Sequence, residues 1–316
     1  MKYVIPVALI AMVLSAGLIP FVIRFAREHG FMAPVGGRRI NDHPVPLLGG
    51  AAICVGFLAA VAVALWVFPE FGMTSTVAGV LVSAFIVALG GVIDDKYELS
   101  GGVQLAIIIF AACVLTFFFG VKAGFINRPW PISMGWAAAP VTAIWIVMVT
   151  KAFDCIDGLD GLAGGIAVIS GIAIIIMALM AGRTTTAILE AALVGGTLGF
   201  LFFNLPPAKI FMGTVGSQFL GFMLAAIPIA EALKSATLVA VFSAVLPAIL
   251  PVFDTSRVVA GRIKDHKNIG QADKTHLHHK LRDMGFTDWK ILALVYGINI
   301  ILCVIAVILF KMSLGK

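Results

Sequence analysis

Residues 154–181, DCIDGLDGLAGGIAVISGIAIIIMALMA, set three carboxylates directly against a long apolar run. The stretch from 164 to 181 carries no charge. A membrane crossing takes about 20 such residues, so this run reads as a transmembrane helix with an acidic motif at its end. Working outward, similar runs lie near 3–24, 48–68, 76–93, 103–120, 136–152, 186–204, 217–232, 235–253 and 289–311. Of the 316 residues, 61% are hydrophobic and 12% charged, with mean hydropathy +1.08. A soluble domain cannot hide that much apolar surface. The expected fold is an all-α polytopic membrane protein of about ten helices, one membrane-embedded domain over 1–316 that includes a basic, histidine-rich loop at 254–288.

The first run is read as a helix rather than a signal peptide. It is long for an h-region, and Arg24 and Arg27 follow it instead of preceding it. The four cysteines, Cys54, Cys113, Cys155 and Cys303, have no paired spacing, which predicts neither a disulfide nor a zinc site. With the N-terminus outside, the inner loops hold 15 of the lysines and arginines and the outer ones 7. That bias predicts an N-out, C-out chain whose long loops face the cytoplasm. The acids follow the same side, with only Glu70, Glu190 and Glu231 of the 16 outside. No span carries a carboxylate at its centre, which counts against a proton-coupled transporter.

Five inner segments carry chemistry. In Arg38-Arg39-Ile40-Asn41-Asp42-His43-Pro44-Val45-Pro46-Leu47-Leu48-Gly49-Gly50, the prolines enforce an extended chain before a glycine pair opens a helix. Taken alone, that segment is better accounted for by a positive-inside anchor plus a loop. Asp94-Asp95-Lys96 follows a span directly. Adjacent helical residues point apart, so both carboxylates serve one site only at a helix end. Asp154, Asp157 and Asp160 recur every three residues, so a helical turn would put them on one face. Stacked carboxylates repel unless a cation holds them, and Mg²⁺ suits oxygen ligands shared with substrate phosphates. The segment Phe203 to Ser217, FNLPPAKIFMGTVGS, offers a cation, a loop aromatic and a glycine turn into a helix N-terminus, a place where phosphate binds well. The loop from Asp254 to Asp288 is basic and holds His276, His278 and His279. Attraction to anionic lipid is its plain reading. Phosphate contact by the histidines is preferred to zinc, because well-spaced further ligands are lacking.

Taken together, IDDKYELS, AFDCIDGLDGLAGG, FNLPPAKIFMG, GSQFLGF, PVFDT and ADKTHLHHKL resemble the motifs of the polyprenyl-phosphate N-acetylhexosamine-1-phosphate transferases, in that family's order over about 30 to 285. The resemblance implies a ten- or eleven-helix fold with a cytoplasmic site. It implies transfer of a sugar-1-phosphate from a UDP-HexNAc to a polyprenyl phosphate lipid such as undecaprenyl phosphate. UMP leaves, and Mg²⁺ is the cofactor, with Mn²⁺ able to replace it. No nucleic acid is implied, and a homodimer in the membrane is compatible with it. By position, Asp94 and Asp95 match the aspartate pair that binds or deprotonates the lipid phosphate. Asp157 matches the catalytic aspartate, and Asp160 its partner near the nucleotide. Phe211 matches an aromatic that stacks on uracil, and Asn204, Lys209 and Gly213 belong to the loop lining the nucleotide site. His276, His278 and His279 match the histidine motif near the diphosphate.

Two departures concern the metal. The family has Asn-Ala-x-Asn where this chain has Lys151-Ala152-Phe153-Asp154, and Gly-Asp-x-Gly-Ser where it has Gly213-Thr214-Val215-Gly216-Ser217. The expectation is a relocated ligand set of Asp154, Asp157 and Thr214, with Asp154 supplying the charge and Thr214 a neutral oxygen. Asn41 and Leu47 also replace a usual His and Arg. The HLHH form resembles the enzymes that begin O-antigen and teichoic-acid chains, which makes UDP-GlcNAc the expected donor in a bacterial inner membrane. The alternatives are the MurNAc-pentapeptide-phosphate transferases of peptidoglycan synthesis and an inactive or transport-type homologue. The CDP-alcohol phosphotransferases share Asp-x-x-Asp-Gly but need further spaced aspartates, and here no acid follows Asp160 until Glu190.

Overall fold

The computed structural model describes residues 2–33, 44–68, 71–123, 125–126, 132–232, 246–264 and 277–314. In chain order the helices are α1 (Val4–His29), α2 (Gly49–Val67), α3 (Ser75–Tyr97), α4 (Gly101–Cys113), α5 (Ala138–Ile156), α6 (Leu162–Met180), α7 (Thr184–Asn204), α8 (Gly213–Ala232), α9 (Ile249–Lys264), α10 (Leu277–Asp283) and α11 (Asp288–Leu314). A π-turn over Val114–Phe118 extends α4. Two short antiparallel pairs lie in the connections: β1 (Met32–Ala33) with β2 (Val45–Pro46), and β3 (Phe125–Ile126) with β4 (Ile132–Ser133).

Among the described residues, eight helices are long and apolar enough to cross a membrane: α1 to α7, with α4 counted through Phe118, and α11. They coincide with eight of the ten expected runs. The ninth run lies in α8, whose apolar part, Gly213–Ile229, is shorter. The tenth, 235–253, falls largely outside the described residues. Where the chain is described again, α9 continues past 253 to Lys264, so Asp254 is helical rather than the start of a loop. Pro251, Asp254 and Val258 are buried there at the i, i+3, i+7 spacing of one helix face. Leu277–Asp283 is likewise helical within the expected loop.

α8 is the axis of the bundle, and from Val215 to Ile229 every residue of it is buried. Its neighbours reach it through glycines, since small residues let helix backbones approach closely. A Cβ at Gly50 of α2 would lie 2.1 Å from the Gly216 Cα, and one at Gly91 of α3 would lie 2.3 Å from the Val215 Cα. On the far side, Gly195 of α7 meets the Ala8 carbonyl of α1, where a Cβ would sit at 2.0 Å.

One acid departs from the outer-loop grouping. Glu190 lies in the second turn of α7, fully buried, and neither carboxylate oxygen has a hydrogen-bond partner among the described residues. Hydropathy averaged along the run hides a single acid that faces the bundle interior.

Candidate active site

Four helix ends converge on one hydrogen-bonded chain. α3 ends with Asp94, Asp95 and Lys96 in its last turn. Asp94 is buried and folds back over the turn that follows, accepting from the Leu99 N–H at 2.9 Å. The same oxygen, Oδ1, accepts from Gln104 Nε2 on the first turn of α4 at 2.8 Å. The Gln104 carbonyl in turn accepts from Lys151 Nζ at 3.0 Å. Lys151 lies in the last turns of α5 and also donates to Asp154 Oδ2, three residues on, at 2.5 Å. The second Asp154 oxygen accepts from the Ser217 hydroxyl in the first turn of α8, at 3.0 Å. The chain Asp94–Gln104–Lys151–Asp154–Ser217 thus links α3, α4, α5 and α8.

Asp95 points the other way, as the i,i+1 geometry of a helix requires. Its carboxylate accepts from the Thr214 N–H at 2.7 Å and the Val215 N–H at 3.3 Å. Those amides belong to the first turn of α8, where no intrahelical acceptor exists and a negative charge is favoured. Asp95 is therefore an N-terminal cap supplied from 119 residues away. Gly213 is required beside it: its φ is +73°, and a Cβ there would lie 2.4 Å from Asp95 Oδ2. Lys96 fastens the same helix end to α1, donating to the His29 carbonyl, with its ammonium 4.9 Å from the centre of the Phe31 ring.

The aspartates of the 154–160 motif do not share a helical face. α5 stops at Ile156, and Asp157 caps it with a non-helical backbone, φ −74° and ψ 44°. Asp160 lies in the turn into α6, where Oδ2 accepts from the Ala208 N–H at 3.0 Å. That turn is pinned from two more sides. Asn204, buried at the end of α7, accepts from the Gly161 N–H at 3.0 Å and donates to the Ile210 carbonyl at 2.9 Å. The Tyr296 hydroxyl of α11 donates to the Gly161 carbonyl at 2.6 Å. Asn204 therefore spends both ends of its amide on backbone. It clamps two expected substrate-binding loops together rather than lining them with a free amide.

Phe211 differs from its expectation as an exposed-loop aromatic. It is only 3% exposed, and its backbone is zipped to the segment before α2: its N–H donates to the Pro46 carbonyl at 2.8 Å, and its carbonyl accepts from the Gly49 N–H at 2.9 Å. Apolar residues on both sides draw the ring inward. The Lys209 side chain is exposed, while its backbone N–H donates to the Phe203 carbonyl at 2.8 Å. His276 and the anchor segment 34–43, with Asn41, lie outside the described residues, as does the side chain of His278. His279 is half-buried on α10. Asp254 holds that helix in place, accepting from the Leu277 N–H at 3.1 Å and pairing with Arg257 at 2.9 Å.

The expected metal set is placed in part. Asp154 and Asp157 stand three residues apart at the end of α5, the second as its cap, and Thr214 begins α8 across from them. The Ser217 hydroxyl, not a Thr214 oxygen, touches Asp154. These are hard oxygen donors of the kind Mg²⁺ takes, and in that respect they fit a divalent ion. Among the described residues, however, no three His, Cys, Asp or Glu side chains are gathered as a ready cage, and Lys151 already neutralises Asp154.

Four residues that organise the site were not singled out from the sequence: Gln104, Lys151, Ser217 and Tyr296. Lys151 was within reach, because an i,i+3 pair of opposite charge on a helix is a local pattern. Ser217 closes the glycine-rich segment 203–217, where nothing in the sequence marks it as a partner of Asp154. Gln104 and Tyr296 come from helices with no local signal of chemistry.

The sequence profile of glycosyl transferase family 4 matches residues 77–232, a span that runs from α3 to the end of α8 and so contains most of these contacts. A Bacillus subtilis (strain 168) protein named "Probable undecaprenyl-phosphate N-acetylglucosaminyl 1-phosphate transferase" is 38% identical over 312 residues, covering 96% of this chain and 85% of that one. The decaprenyl-phosphate N-acetylglucosaminephosphotransferase of Mycobacterium leprae is 31% identical, over 82% of this chain and 72% of its own. The phospho-N-acetylmuramoyl-pentapeptide-transferase of Geobacillus kaustophilus is 28% identical, over 95% and 94%. With an identity of 38% sustained across nearly its whole length, the chain belongs to glycosyl transferase family 4, among the polyprenyl-phosphate N-acetylhexosamine-1-phosphate transferases.

Proposed function

We propose that this protein transfers GlcNAc-1-phosphate from UDP-GlcNAc to a polyprenyl phosphate, releasing UMP and forming a polyprenyl-diphospho-sugar. The bond between the two phosphates of the UDP-sugar breaks, and a new P–O bond forms to the lipid phosphate. The observation that carries this reading is the bonded chain from Asp94 to Ser217, which brings carboxylates and one ammonium together where four apolar helices end. An interfacial site of this kind suits a donor that is water-soluble and an acceptor that is a lipid. The names of the full-length relatives support the same substrates.

Phosphoryl transfer asks for positioning and charge neutralisation more than for covalent chemistry. In this reading Asp94, fixed by Leu99 and Gln104, faces the lipid phosphate. Asp95 acts by holding the first turn of α8 in place. Asp157, freed from the helix by its cap geometry, is the carboxylate assigned to the reacting phosphates. Asp160, Asn204 and Tyr296 keep the glycine-rich turn open for the nucleotide, with Lys209 and His279 flanking the diphosphate. A Mg²⁺ ion, when bound by Asp154, Asp157 and a hydroxyl of α8, would supply the remaining positive charge. The bias of lysines and arginines supports a site on the cytoplasmic face with both termini outside, and in this reading the membrane is a bacterial inner membrane.

The test is UMP release from UDP-GlcNAc by the purified protein in detergent, with undecaprenyl phosphate, with Mg²⁺ and with EDTA. Release that needs both lipid and metal is expected. Release from UDP-MurNAc-pentapeptide but not from UDP-GlcNAc would move the chain to the peptidoglycan branch. No release from either donor by folded protein would refute the assignment.

A further inference from the structure

The ammonium of Lys151 is the one cation bonded into the Asp94–Ser217 chain, and its surroundings are specific. It lies 2.5 Å from Asp154 Oδ2, and the two side chains are only 28% and 15% exposed. Its second bond, to the Gln104 carbonyl at 3.0 Å, has a defined polarity, because the amide nitrogen of Gln104 is committed to the Asp94 carboxylate at 2.8 Å. The other Asp154 oxygen is held by Ser217. Both oxygens of Asp154 are therefore engaged, one of them by a full positive charge at contact distance. An ammonium has three N–H groups. Among the described residues two are used, which leaves one to donate to an incoming phosphate oxygen.

From this geometry we propose that Lys151 is a built-in counter-ion of the phosphate site, a positioning residue that neutralises Asp154 and competes with a divalent cation for it. The inference rests on the reading above that this site handles phosphates together with a divalent ion. Opposite charges at contact in a partly desolvated setting attract far more strongly than in bulk water. A divalent ion entering the site must therefore separate Asp154 from Lys151 or accept an adjacent positive charge. In either case the lysine weakens the ion's hold. The design gives the site a share of its neutralising charge from the chain itself and raises the metal concentration needed to fill it.

The experiment is a Mn²⁺ titration of the full-length protein in detergent, without substrates, following free Mn²⁺ by electron paramagnetic resonance. Lys151→Gln is expected to bind Mn²⁺ at least fivefold more tightly than wild type. Lys151→Arg, which keeps the charge, is expected to stay within about twofold. Adding Asp154→Asn to Lys151→Gln is expected to abolish the gain. A purely structural role for Lys151 would not tighten metal binding. If Lys151→Gln does not fold, Lys151→Met removes the same charge from a similar unbranched chain. Mn²⁺ affinity equal to or weaker than wild type in a folded neutral variant overturns the inference. UMP release by the wild type in the same preparation separates the two claims. An active wild type with unchanged Mn²⁺ affinity in the variants refutes only the counter-ion. Tighter Mn²⁺ binding in the variants, with a wild type inactive on every UDP-HexNAc, upholds it and refutes the transferase.

Discussion

Replacing Asp95 by Ala should loosen the start of α8, the axis of the bundle. The carboxylate accepts two amides there, at 2.7 and 3.3 Å. A hydrogen bond to a charged group contributes roughly 1.5–3 kcal/mol, and a longer one nearer ~0.5 kcal/mol. Asp95 is half-buried, so solvent screening brings the total to about 2 kcal/mol, in line with the loss of a helix cap. For 316 residues each kcal/mol shifts the midpoint by roughly 1.5–2 °C, giving a fall of about 3–4 °C. Cys54 and Cys303 are free and buried, so unfolding can be followed by their release to a thiol-reactive fluorophore in detergent. Asp95→Asn retains one acceptor oxygen and should lose about half as much. UMP release should fall in both variants, because the α8 turn that carries Thr214 and Ser217 is no longer held. An Asp95→Ala variant that melts within 1 °C of wild type would refute the capping argument, whatever its activity, and would return Asp95 to direct contact with the lipid phosphate.

Three further outcomes test the site. Asn204→Ala leaves the Gly161 N–H and the Ile210 carbonyl unpaired in a buried setting, at about 1–3 kcal/mol each; thermal stability and UMP release should drop together, and a change in only one of them would separate clamp from substrate contact. Phe211→Ala should destabilise by about 3–5 kcal/mol as a core truncation, whereas Phe211→Leu should be tolerated; a raised KM for the UDP-sugar at unchanged stability would instead mark the ring as a stacking surface. Thr214→Asp adds a carboxylate beside Asp95 and Asp154, and like charges there oppose one another. UMP release should fall at least about fivefold; a large gain in activity would show that Asp154 had not taken over the ligand's charge.

The membrane class, eight of the spans and the order of the motifs were legible in the residues alone. Hydropathy sums along the chain, and a helix that satisfies its own backbone can be recognised from a run of 20 residues without knowing its neighbours. The aspartate motifs were visible for the same reason, since acids at the ends of apolar runs stand out locally. Their roles were not. The spacing of Asp154, Asp157 and Asp160 suggested one helical face, but α5 ends between the first and the second. Phe211 had the look of a loop aromatic until the segment before α2 closed over it. Asp95 is a cap only because the folded bundle carries α8 to it, and Gln104 joins the site only because α4 turns back beside α5. Hydrogen-bond partners are chosen within about 3 Å in space, and residues that meet at that distance here, such as Tyr296 and Gly161, are separated by 135 positions in the chain. What the sequence determined by itself was which segments enter the membrane and which charged groups lie at their ends. Only the tertiary structure decided which of those groups meet one another, because that depends on helices packed backbone to backbone at Gly50, Gly91 and Gly216.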